Sequence, residues 1–252
     1  MTPRTLTVDE LAEYLHVARR HVERLIKDGE IPCTMRGGRM LFQRDEIDAW
    51  ASRRLLRLPG QSLEWYHQKT MQGTRRIFAQ AALIPVLLQP EGIDLALESK
   101  TKAAVIRDMV GLAERTGRVS DPRELRDSVE AREALCSTAL PGGLALLHAR
   151  QQEKFRFEGS FTVLGRTIQA VPFGAPDGRA SRLFFLICCD DERIHLHTLA
   201  RLCLLALKTN ILSELVAATD ASVAYADLVA AEINVLPDQP IEPTRGGKVR
   251  RR

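Results

Sequence analysis

The sequence predicts two domains: a small, mainly helical domain with a β-hairpin, followed by a larger layered domain of helices and strands. Three observations predict this fold class. The first fifty residues give the order helix, turn, helix, hairpin, helix. The periodic pattern weakens between Pro59 and Gly73, and beyond it helical patterns stand on both sides of a set of strand patterns, as in α/β or α+β domains. We therefore place the domains at 1–58 and 77–235, with a linker at 59–76.

The composition is that of an ordinary soluble protein. Hydrophobic residues make up 45% of the chain and charged residues 27%. Every apolar run is shorter than the roughly 20 residues of a membrane span, and the N-terminus lacks the apolar centre of a signal peptide. The cysteines, 5 in number, show no metal-finger spacing and are typical of a reduced chain. These features predict a cytosolic protein that makes no contact with a membrane.

Basic ends flank a mildly acidic middle. Residues 1–80 carry 14 Lys and Arg against 10 Asp and Glu, and residues 236–252 carry 5 against 2. The remaining residues, 81–235, carry 17 against 20, so their net charge is −3. This asymmetry indicates that the ends meet a polyanion and that the middle has another role. The Pro/Gly-rich segment 236–252 is expected to be a basic, disordered tail.

Each element of the N-terminal domain has a local signal. Thr7 and Glu10 form a capping box that starts the first helix. The second helix is expected from Ala18 to Asp28 and ends at Gly29. The pair Gly37-Gly38 predicts a tight hairpin between two short extended pieces. A third helical pattern follows the hairpin.

Cations gather on the outer face of the second helix and at the hairpin tip. Such a helix suits the major groove of DNA, and hairpin cations suit the adjacent phosphates. Arginine can also pair bidentately with guanine edges. The candidate residues for binding double-stranded DNA are Arg19, Arg20, Arg24, Lys27, Arg36 and Arg39. A solvated, charged helix on a protein-interaction module is the alternative interpretation.

The segment LTVDELAEYLHVARRHVERLIKDGEIPCTMRGGRMLFQRDEIDAWA resembles the excisionase/MerR-type winged helix-turn-helix over nearly the whole domain. The matches include the exit Gly29-Glu30-Ile31-Pro32, the glycine-tipped wing and the helix Asp45-Glu46-Ile47-Asp48-Ala49-Trp50. The resemblance implies that the second helix and the wing bind double-stranded DNA and that the chain forms a homodimer. Ala18 stands where the family usually has a capping serine, at a cost of about 1 kcal/mol of cap stability.

In the second domain, two helical patterns precede three strand patterns. TKAAVIRDMVGLAERTG and DPRELRDSVEAREALCS are typical of amphipathic helices, and Asp121 before Pro122 opens the second of them. GSFTVLG, RTIQAVPF and SRLFFLICC predict three strands. HLHTLARLCLLALKTNILSELV then predicts one long apolar helix.

The stretch LPGGLALLHAR ends an apolar strand pattern on a histidine, His148. Arg132 closes the helix before it, and His195 begins a helix after a later turn. A neutral imidazole can attack a phosphoryl group, and a guanidinium with a second imidazole can stabilise the charge on that group. His148, Arg132 and His195 are therefore the candidate catalytic residues, and a solvent-open position at a sheet rim is expected for His148.

Other interpretations stay open on these residues alone. An isolated histidine after apolar residues is structural by default. A metal site is conceivable, with ligands His148, His195, His197 and Cys189. However, His195 and His197 are two apart on a helix and point roughly 200° apart, so they cannot chelate one ion together. No metal is expected, and His197 is expected on the helix surface. A cysteine nucleophile lacks a base beside it in sequence, and no glycine-rich phosphate loop supports nucleotide hydrolysis.

The residues from about Ile84 to Val235 resemble an enzyme IIA domain of the sugar phosphotransferase system, of the fructose/mannitol/nitrogen-regulatory class (PTS EIIA type-2). The matching segments are Arg132-Glu133-Ala134-Leu135-Cys136-Ser137-Thr138, Gly143-Leu144-Ala145-Leu146-Leu147-His148 and His195-Leu196-His197-Thr198-Leu199-Ala200-Arg201-Leu202. The resemblance implies a mixed sheet covered by helices on both sides.

The same resemblance implies roles for the candidate residues. His148 would accept the phosphoryl group, Arg132 would contact it and His195 would be the second imidazole. The phosphate would come from phosphohistidine on an HPr-like carrier protein, and no cofactor is expected beyond the phosphoryl group on His148. Leu147 departs from the pattern, since the family usually has proline before the histidine.

Together these features predict a DNA-binding regulator that senses phosphotransferase-system status through phosphorylation of His148. Phosphorylation would add nearly two negative charges and so alter dimerisation or domain docking. Two alternatives stay open. One is a phosphocarrier whose N-terminal module only docks it to a partner. The other is an inert sensor domain in which His148 is silent, which Leu147 favours.

Overall fold

The computed structural model describes residues 5–15, 17–74, 82–149 and 157–236. Its N-terminal unit consists of strand β1 (Thr5–Leu6), helices α1 (Val8–Tyr14) and α2 (Arg19–Lys27), strands β2 (Thr34–Arg36) and β3 (Arg39–Gln43), and helix α3 (Arg44–Leu55). The strands form a three-stranded antiparallel sheet in the order β1-β3-β2. This is the predicted small helical domain with a hairpin wing.

Local signals place the elements of this unit. The Thr7 backbone N–H donates to Glu10 Oε2 (2.7 Å) and Glu10 N–H donates to Thr7 Oγ1 (3.4 Å), which completes the predicted capping box. Gly37 and Gly38 have φ of 57° and 74° at the hairpin tip, where a tight hairpin turn requires positive φ at both positions. Ala18, the N-cap of α2, makes no side-chain cap hydrogen bond, as its methyl group dictates.

The segment predicted as a linker is largely a helix. Helix α4 (Gly60–Thr74) packs along α8 (Glu192–Lys208) of the second unit. The periodic pattern that suggested a linker at 59–76 is weak because the inward face of α4 is partly polar. His67 and Thr70 are buried against α8, so hydropathy periodicity does not reveal the face on which the helix packs.

The second unit is built on a mixed five-stranded sheet in the order β4-β7-β8-β6-β5. Its strands are β4 (Ile93–Leu97), β5 (Ala139–Leu140), β6 (Leu144–His148), β7 (Phe161–Val171) and β8 (Ser181–Cys188). β4 runs parallel to β7 and β6 runs parallel to β8, while β7–β8 and β5–β6 are antiparallel pairs. The sheet is therefore mixed, as the resemblance implied.

Helices cover both faces of this sheet. They are the short α5 (Ile84–Leu87), α6 (Lys102–Arg115), α7 (Pro122–Leu135), α8, α9 (Ile211–Ala217) and α10 (Ala221–Val235). Along β6, Leu144 and Leu146 pack with α8, whereas Ala145 and Leu147 pack in the cluster that contains α6 and α7. This alternation is what a strand buried on both faces shows. Among the described helices, none has the length and apolarity to cross a membrane.

Two predicted boundaries are wrong. GSFTVLG and RTIQAVPF form a single strand, β7. Gly165 does not form a turn there but allows the side chains of Met109 and Leu97 to pack closely against the strand. The predicted long helix is divided into α8 and α9, because the backbone at Thr209 is extended (φ −129°, ψ 173°) and α9 begins at Ile211. The predicted tail, except for Leu236, lies outside the described residues.

Replacing Gly165 with alanine is expected to lower the free energy of unfolding by about 1–3 kcal/mol. A Cβ at this position would lie 2.4 Å from Met109 Sδ and 2.5 Å from Leu97 Cδ1, so these side chains would have to move. Gly111, on α6 with no atom within 4 Å of a built Cβ, is the matched control. Gly111→Ala should stabilise by about 0.5–1 kcal/mol through helix propensity. Urea unfolding measures both, and a Gly165→Ala variant as stable as the parent would contradict the packing argument.

Candidate functional site

Three elements bring the candidate catalytic residues together. His148 is the last residue of β6, Arg132 lies in the last turn of α7 and His195 lies in the first turn of α8. Asp191 caps α8 by accepting from the backbone N–H groups of Arg193 and Ile194, which fixes where the helix begins. The end of a sheet strand and the ends of two helices thus converge on one position.

The hydrogen bonds of His148 define its tautomer. Nδ1 lies 2.9 Å from the Leu146 carbonyl oxygen, which can only accept, so Nδ1 carries the proton. Nε2 then presents its lone pair, which accepts a hydrogen bond from Arg132 Nε at 3.0 Å. The imidazole of His195 lies beside this pair, with ring centroids 4.9 Å apart. His148 therefore offers Nε2 as a nucleophile.

The surroundings keep these imidazoles neutral. Burial lowers the pKa of His148 well below its ordinary value, and the charge of Arg132 lowers it further. Burial, with the charge of Arg132, lowers the pKa of His195 to about 3. A neutral imidazole keeps a lone pair on one ring nitrogen, which is the form that nucleophilic attack requires.

Two polar atoms of this cluster have no hydrogen-bond partner within the described part of the chain: Arg132 Nη2 and His195 Nδ1. Both are buried, where a polar group without a partner costs free energy. Arg132 Nη1 donates to the Cys136 carbonyl (3.1 Å), so the guanidinium is held in place while Nη2 stays available. A phosphoryl group on His148 would supply acceptor oxygens for such donors.

A second buried cluster has similar geometry but a different charge balance. Arg201 Nε donates to His67 Nε2 (2.7 Å), and the rings of His67 and His197 stack with centroids 4.9 Å apart. The Arg201 guanidinium forms a buried ion pair with Glu232. Arg132 has no ion pair among the residues that the structure describes. The His148 cluster therefore holds an arginine that forms no ion pair within this part of the chain, which suits an anion. His197 is buried, so its predicted surface position is wrong.

The expected solvent-open position of His148 is also wrong. His148, Arg132 and His195 are each 1% exposed. Part of the cover comes from the N-terminal unit, because α3 packs on α8 and Ser52 Oγ lies 3.5 Å from His195 Nε2. Ser52 itself is 3% exposed. The sequence pattern of β6 could not reveal this cover, since α3 is remote from it in the chain.

The candidate DNA-binding residues differ in their surroundings. Arg19 forms ion pairs with Asp9 (2.6 Å) and Glu23 (2.8 Å), so it connects α1 to α2. The remaining candidates are exposed: Arg20, Arg24, Lys27, Arg36 and Arg39. On the wing, Arg36 and Arg39 are register partners across the hairpin tip. The helix and the wing thus present cations on their outer surfaces.

Lowering the pH is expected to destabilise the chain through its buried imidazoles. The pKa values of His67 and His195 are about 3 in the folded chain, against an ordinary value of 6.5. As the pH falls, these imidazoles therefore become protonated in the unfolded chain before they do so in the folded chain. The contribution of each neutral imidazole to the free energy of unfolding is complete above pH 6.5. It is lost as the pH falls toward 3, at up to about 1.4 kcal/mol per pH unit. His67→Gln should reduce the pH dependence of the urea midpoint between pH 6.5 and 4.5, and an unchanged dependence would contradict a neutral His67.

Comparison with known proteins follows the same division of the chain. Residues 86–229 match the family model described as phosphoenolpyruvate-dependent sugar phosphotransferase system, EIIA 2, and residues 5–55 match a helix-turn-helix domain. Over 137 residues, or 54% of this chain, the sequence is 30% identical to the PTS system fructose-specific EIIABC component of Bacillus subtilis (strain 168). The match covers 21% of that protein, so this chain corresponds to about a fifth of its length.

Solved structures resemble the second unit. Nitrogen regulatory protein IIA-Ntr from Neisseria meningitidis matches 58% of this chain and 99% of its own, with 27% identity and a TM-score of 0.53. IIA mannitol from Escherichia coli matches 56% of this chain and 98% of its own, with 22% identity and a TM-score of 0.49. The two-domain interpretation of the sequence is confirmed by the two family models together with the match to IIA-Ntr.

Proposed function

This chain belongs to the EIIA 2 family of the phosphoenolpyruvate-dependent sugar phosphotransferase system and carries a helix-turn-helix module before its EIIA domain, and on that premise we propose that it is a DNA-binding transcriptional regulator that senses phosphotransferase-system status through phosphorylation of His148. The observation that carries the proposal is the cluster around His148: a lone pair on Nε2, an arginine without a carboxylate partner and two buried polar atoms without partners in the described part of the chain. The His67 cluster also has an arginine Nε on its Nε2 atom, but that arginine has a carboxylate partner, Glu232.

The transfer reaction balances with the groups present. Nε2 of His148 forms a bond to phosphorus while the P–N bond of a donor phosphohistidine, protonated on its other ring nitrogen, breaks. The electron pair of that bond returns to the donor, which leaves as a neutral imidazole. His148 keeps its Nδ1 proton on the Leu146 carbonyl. Arg132 Nε leaves Nε2, and the guanidinium turns to the phosphoryl oxygens. His195 Nδ1 supplies a second contact to the same oxygens. The donor that fits this chemistry is an HPr-like phosphocarrier.

Access to His148 couples this reaction to the DNA-binding module. A donor protein cannot reach a histidine that is 1% exposed, so its cover has to open before transfer. We infer that α3, which packs on α8 beside His195, is the part that moves. The phosphoryl group then brings nearly two negative charges and additional volume into the space beneath α3. Arg132 compensates part of that charge, and the remainder requires water. Phosphorylation therefore favours the undocked position of α3 and changes how the winged helix meets DNA.

DNA binding by α2 and the wing is tested with the full chain and duplex DNA at several salt concentrations. Removal of one cation that binds a phosphate should reduce the slope of log K against log[salt] by about 1. We expect this reduction for Lys27→Ala and for Arg39→Ala. Arg126→Ala, a half-exposed arginine on α7, is the matched control and should leave the slope unchanged. Arg19→Ala should instead lower thermal stability, because its ion pairs join α1 to α2.

The alternatives give different results in the same experiments. A phosphocarrier that uses the N-terminal module only for docking would become phosphorylated but would show no salt-dependent duplex binding. An inert sensor would bind duplex DNA without acquiring phosphate.

We further propose a homodimer, which light scattering of the full chain with and without duplex DNA would detect.

A further inference from the structure

A cavity of about 380 Å³ lies where the second, third and fourth helices meet. Its size falls in the lower part of the range of about 300–1,000 Å³ that small-molecule pockets occupy. None of the described residues that line it belongs to the His148 cluster, so the cavity is separate from the proposed phosphorylation site. The chain contains 2 tryptophans, and both Trp50 and Trp65 line this cavity.

The walls of the cavity are apolar and rich in flat rings. Leu25, Leu55 and Tyr66 are buried in the core and form part of the lining. Trp65 is 44% exposed, although it is a large apolar side chain. Trp50 is held in one orientation because its Nε1–H donates to the Glu30 carbonyl at 2.6 Å. A ligand with a flat apolar body would find preformed surfaces here.

The polar part of the lining is cationic. Arg24 and Arg54 both line the cavity, together with His21. Arg54 pairs with Glu30 (2.7 Å), whereas Arg24 donates to His21 Nδ1 (2.7 Å) and makes no ion pair with a carboxylate in the described ranges. Burial lowers the pKa of His21, and the charges of Arg24 and Arg54 lower it further, while the charge of Glu30 raises it.

We propose that this cavity binds a small organic anion with a flat apolar body, of the class of the aromatic carboxylates. The rings and leucines would hold the body, and the Arg24 guanidinium would hold the carboxylate. A cation of the same shape would be repelled by Arg24 and Arg54. A polyhydroxylated molecule such as a free sugar would leave most of its hydroxyl groups against leucine and tryptophan.

Because the cavity lies against α2, a bound ligand would also affect DNA binding. His21 and Arg24 lie on α2, while Trp65 and Tyr66 lie on α4. A carboxylate on Arg24 would take this residue from a DNA phosphate or base and would connect α2 to α4. Because coupling between two sites is reciprocal, the ligand should weaken duplex binding by the factor by which DNA weakens ligand binding.

Intrinsic tryptophan fluorescence of the full chain tests the proposal directly, since both tryptophans are in the cavity. The probes are 4-phenylbutyrate and 4-phenylbutylamine, which share a phenyl body and differ in the sign of their charge. We expect a saturable change with the acid and none with the amine. Arg24→Ala should weaken binding of the acid by about tenfold, the loss of one hydrogen bond to a charged group. Arg57→Ala, an exposed arginine outside the lining, is the control and should leave binding unchanged.

A second variant separates a real site from a general effect on folding. Ser62 lines the cavity and is exposed, so Ser62→Phe should fill the space and abolish binding of the acid while thermal stability is kept. Equal responses to the acid and the amine, no response to the acid, or full binding by Ser62→Phe would each overturn the proposal. The titration contains neither DNA nor a phosphoryl donor, so its result is independent of whether His148 is phosphorylated.

Discussion

We expect the full chain to gain the mass of one phosphoryl group from phosphoenolpyruvate, the first phosphotransferase enzyme and an HPr-like carrier, and we expect His148→Ala to eliminate this gain. The reason is that the Nδ1 hydrogen bond to the Leu146 carbonyl leaves the lone pair of His148 on Nε2, where it accepts from Arg132 Nε until the guanidinium turns to the phosphoryl group. Intact-mass spectrometry measures the result. Arg132→Ala should keep the acceptor but lower the rate of transfer by about 10²-fold or more, because it removes a donor to the developing charge.

The matched control for His148→Ala is His67→Gln. His67 is equally buried and also accepts from an arginine Nε, at 2.7 Å. Its arginine is neutralised by Glu232, so this cluster does not favour an anion and the variant should acquire phosphate like the parent. A phosphate that persists in His148→Ala, or that disappears in His67→Gln, would show that the wrong histidine has been assigned.

Ser52→Trp is expected to accelerate phosphorylation of His148 by about tenfold or more. Ser52 is 3% exposed and lies 3.5 Å from His195 Nε2, so an indole cannot be placed there with α3 docked on α8. Overpacking of this kind costs about 1–3 kcal/mol, and about 1.4 kcal/mol changes a docking equilibrium tenfold. The rate is measured as phosphate incorporated over time at limiting donor.

Ser52→Ala is the control for this second experiment, because it removes the hydroxyl without adding volume and should be phosphorylated at nearly the rate of the parent. Circular dichroism and duplex binding establish that the winged helix of Ser52→Trp is folded. A folded Ser52→Trp variant that is phosphorylated no faster than the parent would refute the gating by α3 while leaving the acceptor in place. Absence of phosphate in the parent and in Ser52→Trp would refute the acceptor itself.

The element order and the identity of the clustered residues were predictable because their signals are local. A capping residue, a glycine pair or an aspartate before a proline acts within a few residues of itself, as Thr7, Gly37-Gly38 and Asp121 do here. The mixed sheet was predicted from the resemblance to the phosphotransferase-system family. That resemblance depends on short motifs around Arg132 and His148, which the chain contains almost intact.

Other features were not predictable because they depend on what packs against each residue. The inward face of α4 carries His67 and Thr70, whose polarity is typical of a surface. Gly165 resembles a turn residue until the side chains of Met109 and Leu97 are placed against it. His197 becomes a core residue because His67 stacks on it from another helix.

The sequence by itself determined the two domains, most of their elements and the three residues that could handle a phosphoryl group, because helix caps, turns and motif spacing are properties of neighbouring residues. Only the tertiary structure decided that His148 is covered and that a cationic, ring-lined cavity lies beside the DNA-binding helix. Burial and local potential arise from groups remote in the chain, such as Ser52 and His195, which are 143 residues apart. No local pattern encodes such a contact.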